Sequence, residues 1–173
     1  MPDVYVFPGG RRDPRDHALP FRRDLHPLVS ERLRARTPTR SAPSAGRALA
    51  LAALRELKEE TSLGTGNPPD LFPLRYVARA VTPPGNVRRF DTRFFLLPME
   101  EAEISMSSMQ DTEELRDLRW VGYSDLFEIK VPRITLAVLQ DVQALLDPGP
   151  SLPYGLPVPY YFMRHGRFVR TQI

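Results

Sequence analysis

The chain has 173 residues, 42% of them hydrophobic and 26% charged, with a formal net charge of +3; that fits one compact domain with a sizeable core and leaves little for a second. Cysteine is absent, which excludes disulfides, thiolate nucleophiles and sulfur-ligated zinc, so any metal must sit on oxygen or on His17, His26 and His165. The longest apolar run, Leu49 to Leu54, is far short of a membrane span, and the first residues lack the basic and apolar regions of a signal peptide, so a cytoplasmic protein without a membrane partner is expected.

Nearly all the positive charge is arginine, since only Lys58 and Lys130 are lysines. The planar fork of donors on arginine suits a phosphorylated substrate or a nucleic acid, and an arginine-biased genome would produce the same composition.

In chain order, Val4 to Phe7 reads as a short strand stopped by Pro8-Gly9-Gly10, a turn in which backbone can approach a ligand closely. Residues 11–46 are dense in arginine and proline and read as an inserted, solvent-exposed excursion with a short helix near Leu28 to Ala35. Ser44 is a fitting N-cap for the clearest helix, Arg47 to Thr61, whose stripe is Leu49, Ala53 and Leu57 and which ends at Gly64 and Gly66. Leu74 to Val81 and Arg89 to Leu97 read as two strands joined through Thr82-Pro83-Pro84-Gly85-Asn86. Leu118 to Val121 is a further predicted strand, and Pro132 to Leu146 an amphipathic helix whose apolar stripe packs inward or forms a homodimer surface. Residues 159–173 form a C-terminal hairpin, Tyr160 to Arg164 against Arg167 to Thr171 across His165-Gly166. Strands interleaved with two main helices imply a single layered α/β or α+β domain over residues 1–173.

The chemistry centres on Arg55-Glu56-Leu57-Lys58-Glu59-Glu60. Glu56 and Glu60 are four residues apart and share a helix face, with Glu59 on its flank. Three carboxylates within five helical residues repel one another unless a cation lies between them, and magnesium takes a few carboxylates plus water and substrate phosphate. A solvated face neutralised by Arg55 and Lys58 is the alternative for these residues alone.

Together with Gly10 upstream and Leu63 downstream, Arg55, Glu56, Leu57, Glu59 and Glu60 stand at matching positions of the Nudix box, and the chain resembles the Nudix hydrolase superfamily. The resemblance extends to its coenzyme A and acyl-coenzyme A diphosphatase branch through Phe7-Pro8-Gly9-Gly10 with Asp13 and Asp16, and through Thr82-Pro83-Pro84 with Arg88-Arg89-Phe90-Asp91-Thr92-Arg93-Phe94-Phe95. It implies an α/β/α sandwich around a mixed sheet, with Glu56, Glu59 and Glu60 as ligands of Mg2+ or Mn2+ and Arg55 orienting them. The metal would polarise a diphosphate and acidify a bound water while a carboxylate takes its proton. Glu114 is the candidate for an additional acid outside the box, with Glu113 second. Gly9 and Gly10 are candidate substrate contacts. Arg89, Asp91 and Arg93 would share one face of a strand, two guanidiniums holding phosphate and Asp91 aligning them, while Phe90, Phe94 and Phe95 are assigned to the core. The alternative for those arginines is a cross-strand ion-pair ladder.

Three features depart from the family pattern. The spacer after Gly10 runs to Gly46, Arg47 stands where the pattern has glutamate, and Ser62 stands where it has glycine, at a left-handed position costing a serine roughly 1 kcal/mol unless Gly64 takes the turn. Only six residues precede Phe7, where the family places one or two strands, so a fold lacking them is expected, with a misplaced or truncated start as the explanation. If Met1 is the true start, an unpaired sheet edge should remain beside Val4 to Phe7 and favour association. The expected partner is a small-molecule diphosphate, coenzyme A or acyl-coenzyme A in the first place, rather than a nucleic acid. The rival reading is a catalytically idle Nudix-fold module that binds RNA or a protein partner. His17, His26 and His165 have no metal-ligand spacing and receive no role.

Overall fold

The computed structural model describes residues 4–36, 43–147, 149 and 152–173. Its elements are α1 (Pro27–Arg34), α2 (Pro43–Thr61), β1 (Arg75–Val81), β2 (Asp91–Leu96), α3 (Arg133–Leu146), β3 (Pro159–Arg164) and β4 (Arg167–Gln172), with short 3-10 turns at Pro14–His17, Met106–Ser108 and Tyr123–Phe127. The strands form one mixed sheet in the order β2-β1-β3-β4, with β1 parallel to β3 and the two outer pairings antiparallel. The expected mixed α/β class is what the chain adopts. Among the described residues no helix is long and apolar enough to cross a membrane.

Two buried clusters hold helices to the sheet. Val29 and Leu33 of α1 and Ala50, Leu51 and Leu54 of α2 pack with Tyr76, while Val138 and Val142 of α3 pack with Val77, Ala78 and Tyr161. A bulge between Tyr76 and Ala78 shifts the β1–β2 register, and the adjacent Val77 and Ala78 can thereby serve the same cluster. Phe94 joins the α3 cluster and Phe95 the α2 cluster, as assigned, but Phe90 is exposed and lies outside the core.

The stripe expected on α2 is displaced. Leu49, Ala53 and Leu57 are half-buried, whereas Ala48, Ala50, Leu51, Ala52 and Leu54 are buried, because this helix meets both the sheet and the preceding segment. Gly46 faces that second contact, where a Cβ would meet Leu33 Cβ at an ordinary 3.4 Å. The helix starts at Pro43, so Ser44 lies inside its first turn rather than capping it.

The described part of residues 11–46 is largely exposed, as expected, but not wholly so. The short helix forms as expected, but Asp16, Leu25, Val29 and Leu33 are buried against α2 and the sheet, and Arg47 on α2 grips Asp24 at 2.5 Å. Residues 37–42 of that stretch lie outside the described residues. Asp70, with 1% of its side chain exposed, accepts from both Arg22 and Arg23 at 2.6 Å and binds the Phe72 N–H, so it sews the same segment to the loop before β1.

Two predicted strands are absent. Val4 to Phe7 has no ladder partner; its Tyr5 N–H binds the Lys130 carbonyl at 2.8 Å and the Tyr5 hydroxyl binds Asp117. The N–H groups of Asp117 and Leu118 go to the Asp111 carboxylate at 3.0 Å, and such side-chain bonds withdraw donors that a strand would need. Residues 118–121 instead help line an apolar cavity of about 400 Å³ bordered by Phe7, Pro8, Leu57 and Thr61. The C-terminal hairpin forms as expected, turning through His165 and Gly166, both at positive φ.

Replacing Asp70 by alanine leaves two guanidiniums without their shared carboxylate. Those arginines are half-exposed and can rehydrate, so the expected loss is about 2 kcal/mol, below the figure for a fully buried pair; urea unfolding of the variant measures it.

Candidate functional site

Glu59 and Glu60 lie in the last turn of α2 and Glu56 one turn earlier, at the helix end where the macrodipole disfavours negative charge. The compensation comes from far away in sequence. The Gly9 N–H donates to Glu60 Oε2 at 2.8 Å, across 51 residues. Gly10 presses against Glu56 so closely that a Cβ at position 10 would lie 2.2 Å from Glu56 Oε1. A side chain at position 10 would therefore force the Glu56 carboxylate to move.

Arg55 completes the arrangement. Its Nη1 donates to Glu56 Oε1 at 2.8 Å and Glu59 Oε2 at 2.9 Å, its Nε to Asp16 Oδ1 at 3.0 Å, and its Nη2 to the Arg11 carbonyl at 3.2 Å. Arg55 thus binds two of the three carboxylates it is expected to orient. Asp16, which is fully buried, holds Arg55 from behind and is itself fixed by a capping box, with Asp13 at the N-cap of the 3-10 turn and Asp16 at its third position. Burial pushes the Asp16 carboxyl up, and hydrogen bonds from Arg55 and the Asp13 N–H outweigh it and hold the group below its ordinary value. The hydrogen bonds to Asp16 chiefly, and to Glu56 and Glu59, raise the Arg55 guanidinium above its ordinary value.

Glu60 is the perturbed acid. Burial pushes its carboxyl up, the Gly9 bond pulls it down, and the charges of Glu56, Glu114 and Glu59 push it up again. Its Oε1 has no protein hydrogen-bond partner among the described residues. Glu114 stands near enough to act on Glu60 through space, as the candidate outside acid should, although it is exposed and sits in a loop rather than at a strand edge. Thr112 fixes that loop by donating to the Glu60 carbonyl at 3.1 Å. Glu113 forms no ion pair or side-chain hydrogen bond among the described residues.

The carboxylates of Glu56, Glu59 and Glu60 are neighbours without converging: two share the Arg55 nitrogen, the third turns to Gly9, and no group of three acidic or imidazole side chains among the described residues is gathered to hold a metal. Their chemistry nonetheless fits a hard dication. All donors are oxygen, Glu56 and Glu59 share one guanidinium, and burial first, then the charges of Glu56, Glu114 and Glu59, raise the proton affinity of Glu60. Gathering them requires Arg55 Nη1 to release Glu56 or Glu59.

The sheet arginines divide. Arg93 is on β2, with only 10% of its side chain exposed, and pairs with Asp91 at 2.7 Å. Arg89 precedes the strand and is exposed, its Nε 3.5 Å from the Thr82 carbonyl, so the expected three-residue face does not form. Arg79 of β1 takes that place, gripping Asp91 through Nε and Nη2 at 2.8 Å each. Sequence reasoning missed Arg79 and the anchoring role of Asp16. The signals were Asp13-Pro14 with an acid three residues after the cap, and the position of Arg79 on a strand that must pair with the one carrying Arg93.

Of the departures from the family pattern, Ser62 takes the left-handed backbone itself at φ 64°, leaving Gly64 no part in it. Arg47 serves as the anchor for Asp24. No family model, curated protein or solved structure matches this chain.

Gly10→Ala is expected to cost under about 1 kcal/mol of stability, because the far end of Glu56 can swing aside, while disrupting the Arg55–Glu56 pair; a crystal structure of the variant with Glu56 unmoved contradicts this. For Glu60, whose folded pKa is raised, the stabilising contribution is present below its unfolded pKa and lost as pH rises through the folded one. In metal-free buffer Glu60→Gln should therefore raise the thermal midpoint at pH 7.5, with the gain vanishing by pH 4; equal midpoints at both pH values count against the charge crowding described.

Proposed function

We propose that this protein is a Nudix-type, Mg2+-dependent hydrolase that cleaves a diphosphate linkage in a nucleotide-like substrate. The observation that carries the reading is the docking of the Pro8-Gly9-Gly10 turn on the α2 carboxylates, with Arg55 binding Glu56, Glu59 and Asp16 together. These are the residues the family pattern names, and a spacer of 35 residues, 11–45, between Gly10 and Gly46 does not prevent them from meeting.

Glu56, Glu59 and Glu60 would hold the ion, which when bound neutralises diphosphate charge and acidifies a coordinated water. The chain supplies the rest. Gly10 has no protein acceptor for its N–H among the described residues and offers it to a phosphate oxygen. Arg55 sets the positions of Glu56 and Glu59. Glu60 Oε1, unpaired and with raised proton affinity, is the proton acceptor for water attacking phosphorus, and Glu114 is the second candidate for that step. The pyrophosphate P–O bond breaks and the leaving phosphate departs as a monoester.

A binding-module reading is favoured by one observation, the neutralisation of Glu56 and Glu59 by Arg55. A screen of coenzyme A and its thioesters, dinucleotides, nucleotide sugars and nucleoside triphosphates with Mg2+ or Mn2+ separates the two. Turnover to phosphate monoesters that falls at least about 100-fold on Glu60→Gln supports the hydrolase. Absence of turnover across the panel, with salt-sensitive RNA binding in its place, supports the module.

A further inference from the structure

Strand pairing sets Arg79 directly opposite Arg93, and both reach the same Asp91 carboxylate. Arg79 docks on it side-on and gives its remaining Nη1 to the Arg36 carbonyl at 3.0 Å. Arg93 reaches Asp91 only through Nη1, 2.7 Å from the Oδ1 and 2.7 Å from the carbonyl oxygen. Two positive charges thus face one negative charge, on guanidiniums with only 8% and 10% of their side chains exposed.

The surplus has a direction. Arg93 Nε is buried and has no hydrogen-bond partner, and Nη2 beside it has none among the described residues. Buried donors without acceptors are uncommon, because they give up hydration with nothing in exchange. Nε and Nη2 make up the edge of a guanidinium that docks bidentately on an oxyanion. Arg79 spends that edge on Asp91, and Arg93 leaves the same edge open. Tyr76, 5% exposed, lies where both arginine charges act on its hydroxyl, which has no hydrogen-bond partner among the described residues. Contact with the carboxylate site runs through Arg11, whose carbonyl binds Arg55 and whose guanidinium lies 5.4 Å over the ring of Phe90, the residue before Asp91.

We infer that the unpaired Nε–Nη2 edge of Arg93, with the Tyr76 hydroxyl near it and Arg79 supplying the surplus charge, is an oxyanion subsite that takes a phosphate group of the substrate when the side chains covering Nε give way. A phosphate carries more charge and more oxygens than a carboxylate, so it meets the guanidinium edge and the hydroxyl from separate oxygens and answers the surplus charge more fully. Its place in catalysis rests on the hydrolase reading; its affinity for phosphate does not.

Isothermal titration of the full chain in EDTA with inorganic phosphate and pyrophosphate tests it, with acetate at matched ionic strength as control. Saturable phosphate binding is expected, weakened roughly tenfold by Arg93→Lys, which keeps the charge and loses the fork, and roughly threefold by Tyr76→Phe. Arg167→Gln, on exposed β4, should leave it unchanged, and circular dichroism shows that each variant is folded. Tyr76→Phe carries the test if Arg93→Lys does not fold. No phosphate binding, an equal response to acetate, or equal affinity in Arg93→Lys and Tyr76→Phe overturns the subsite. Phosphate binding without turnover refutes the hydrolase and keeps the subsite; turnover with KM unchanged in Arg93→Lys does the reverse.

Discussion

The Arg55 guanidinium is the contact on which the site depends. One side chain, a quarter exposed, holds two α2 carboxylates, the buried Asp16 carboxylate and a main-chain carbonyl. Without a cation there, the acids at the C-terminal end of α2 would repel one another and oppose the helix dipole as well. With it, the turn at residues 8–11, the 3-10 turn that follows and the helix become one unit. Since Asp16 belongs to the long spacer and Glu56 to the helix, the guanidinium also fixes how the spacer leaves and rejoins the site.

That attachment explains how so long a spacer is accommodated. Lengthening a loop adds closure entropy only slowly, and here it is offset by real packing: Leu25, Val29 and Leu33 are buried, and the Asp24–Arg47 and Asp70–Arg22/Arg23 pairs tie both flanks. Leu25, Val29 and Leu33 of the spacer have become part of the core.

Much of this was legible in the sequence, and the failures have physical causes. The α2 and α3 helices, the β1–β2 pair and the C-terminal hairpin declare themselves because their periodicities are long or their turns explicit. Val4 to Phe7 and Leu118 to Val121 read as strands from their apolar residues, yet a strand needs a partner to accept its N–H groups, and here the Lys130 carbonyl takes that of Tyr5 and the Asp111 carboxylate that of Leu118. Arginine and proline made residues 11–36 look solvated, because composition does not reveal that four residues of that stretch are buried at helical and turn spacing. In the site, Gly9, Gly10, Arg55, Glu56 and Glu60 were readable from their pattern. Arg79 and the function of Asp16 were not, since each acts through a residue distant in sequence.

The parallel pairing of β1 with β3 also orders the growth of the fold. The Gly9–Glu60 and Asp16–Arg55 contacts and the β1–β2 hairpin all lie before residue 97, while Tyr160 and Tyr161 must return to Arg79 and Ala80 across about half the chain. Contacts that close large loops form late, and chains emerge from the ribosome amino end first. The Arg55 carboxylate cluster can accordingly take shape on a nascent polypeptide whose final two strands have yet to be translated.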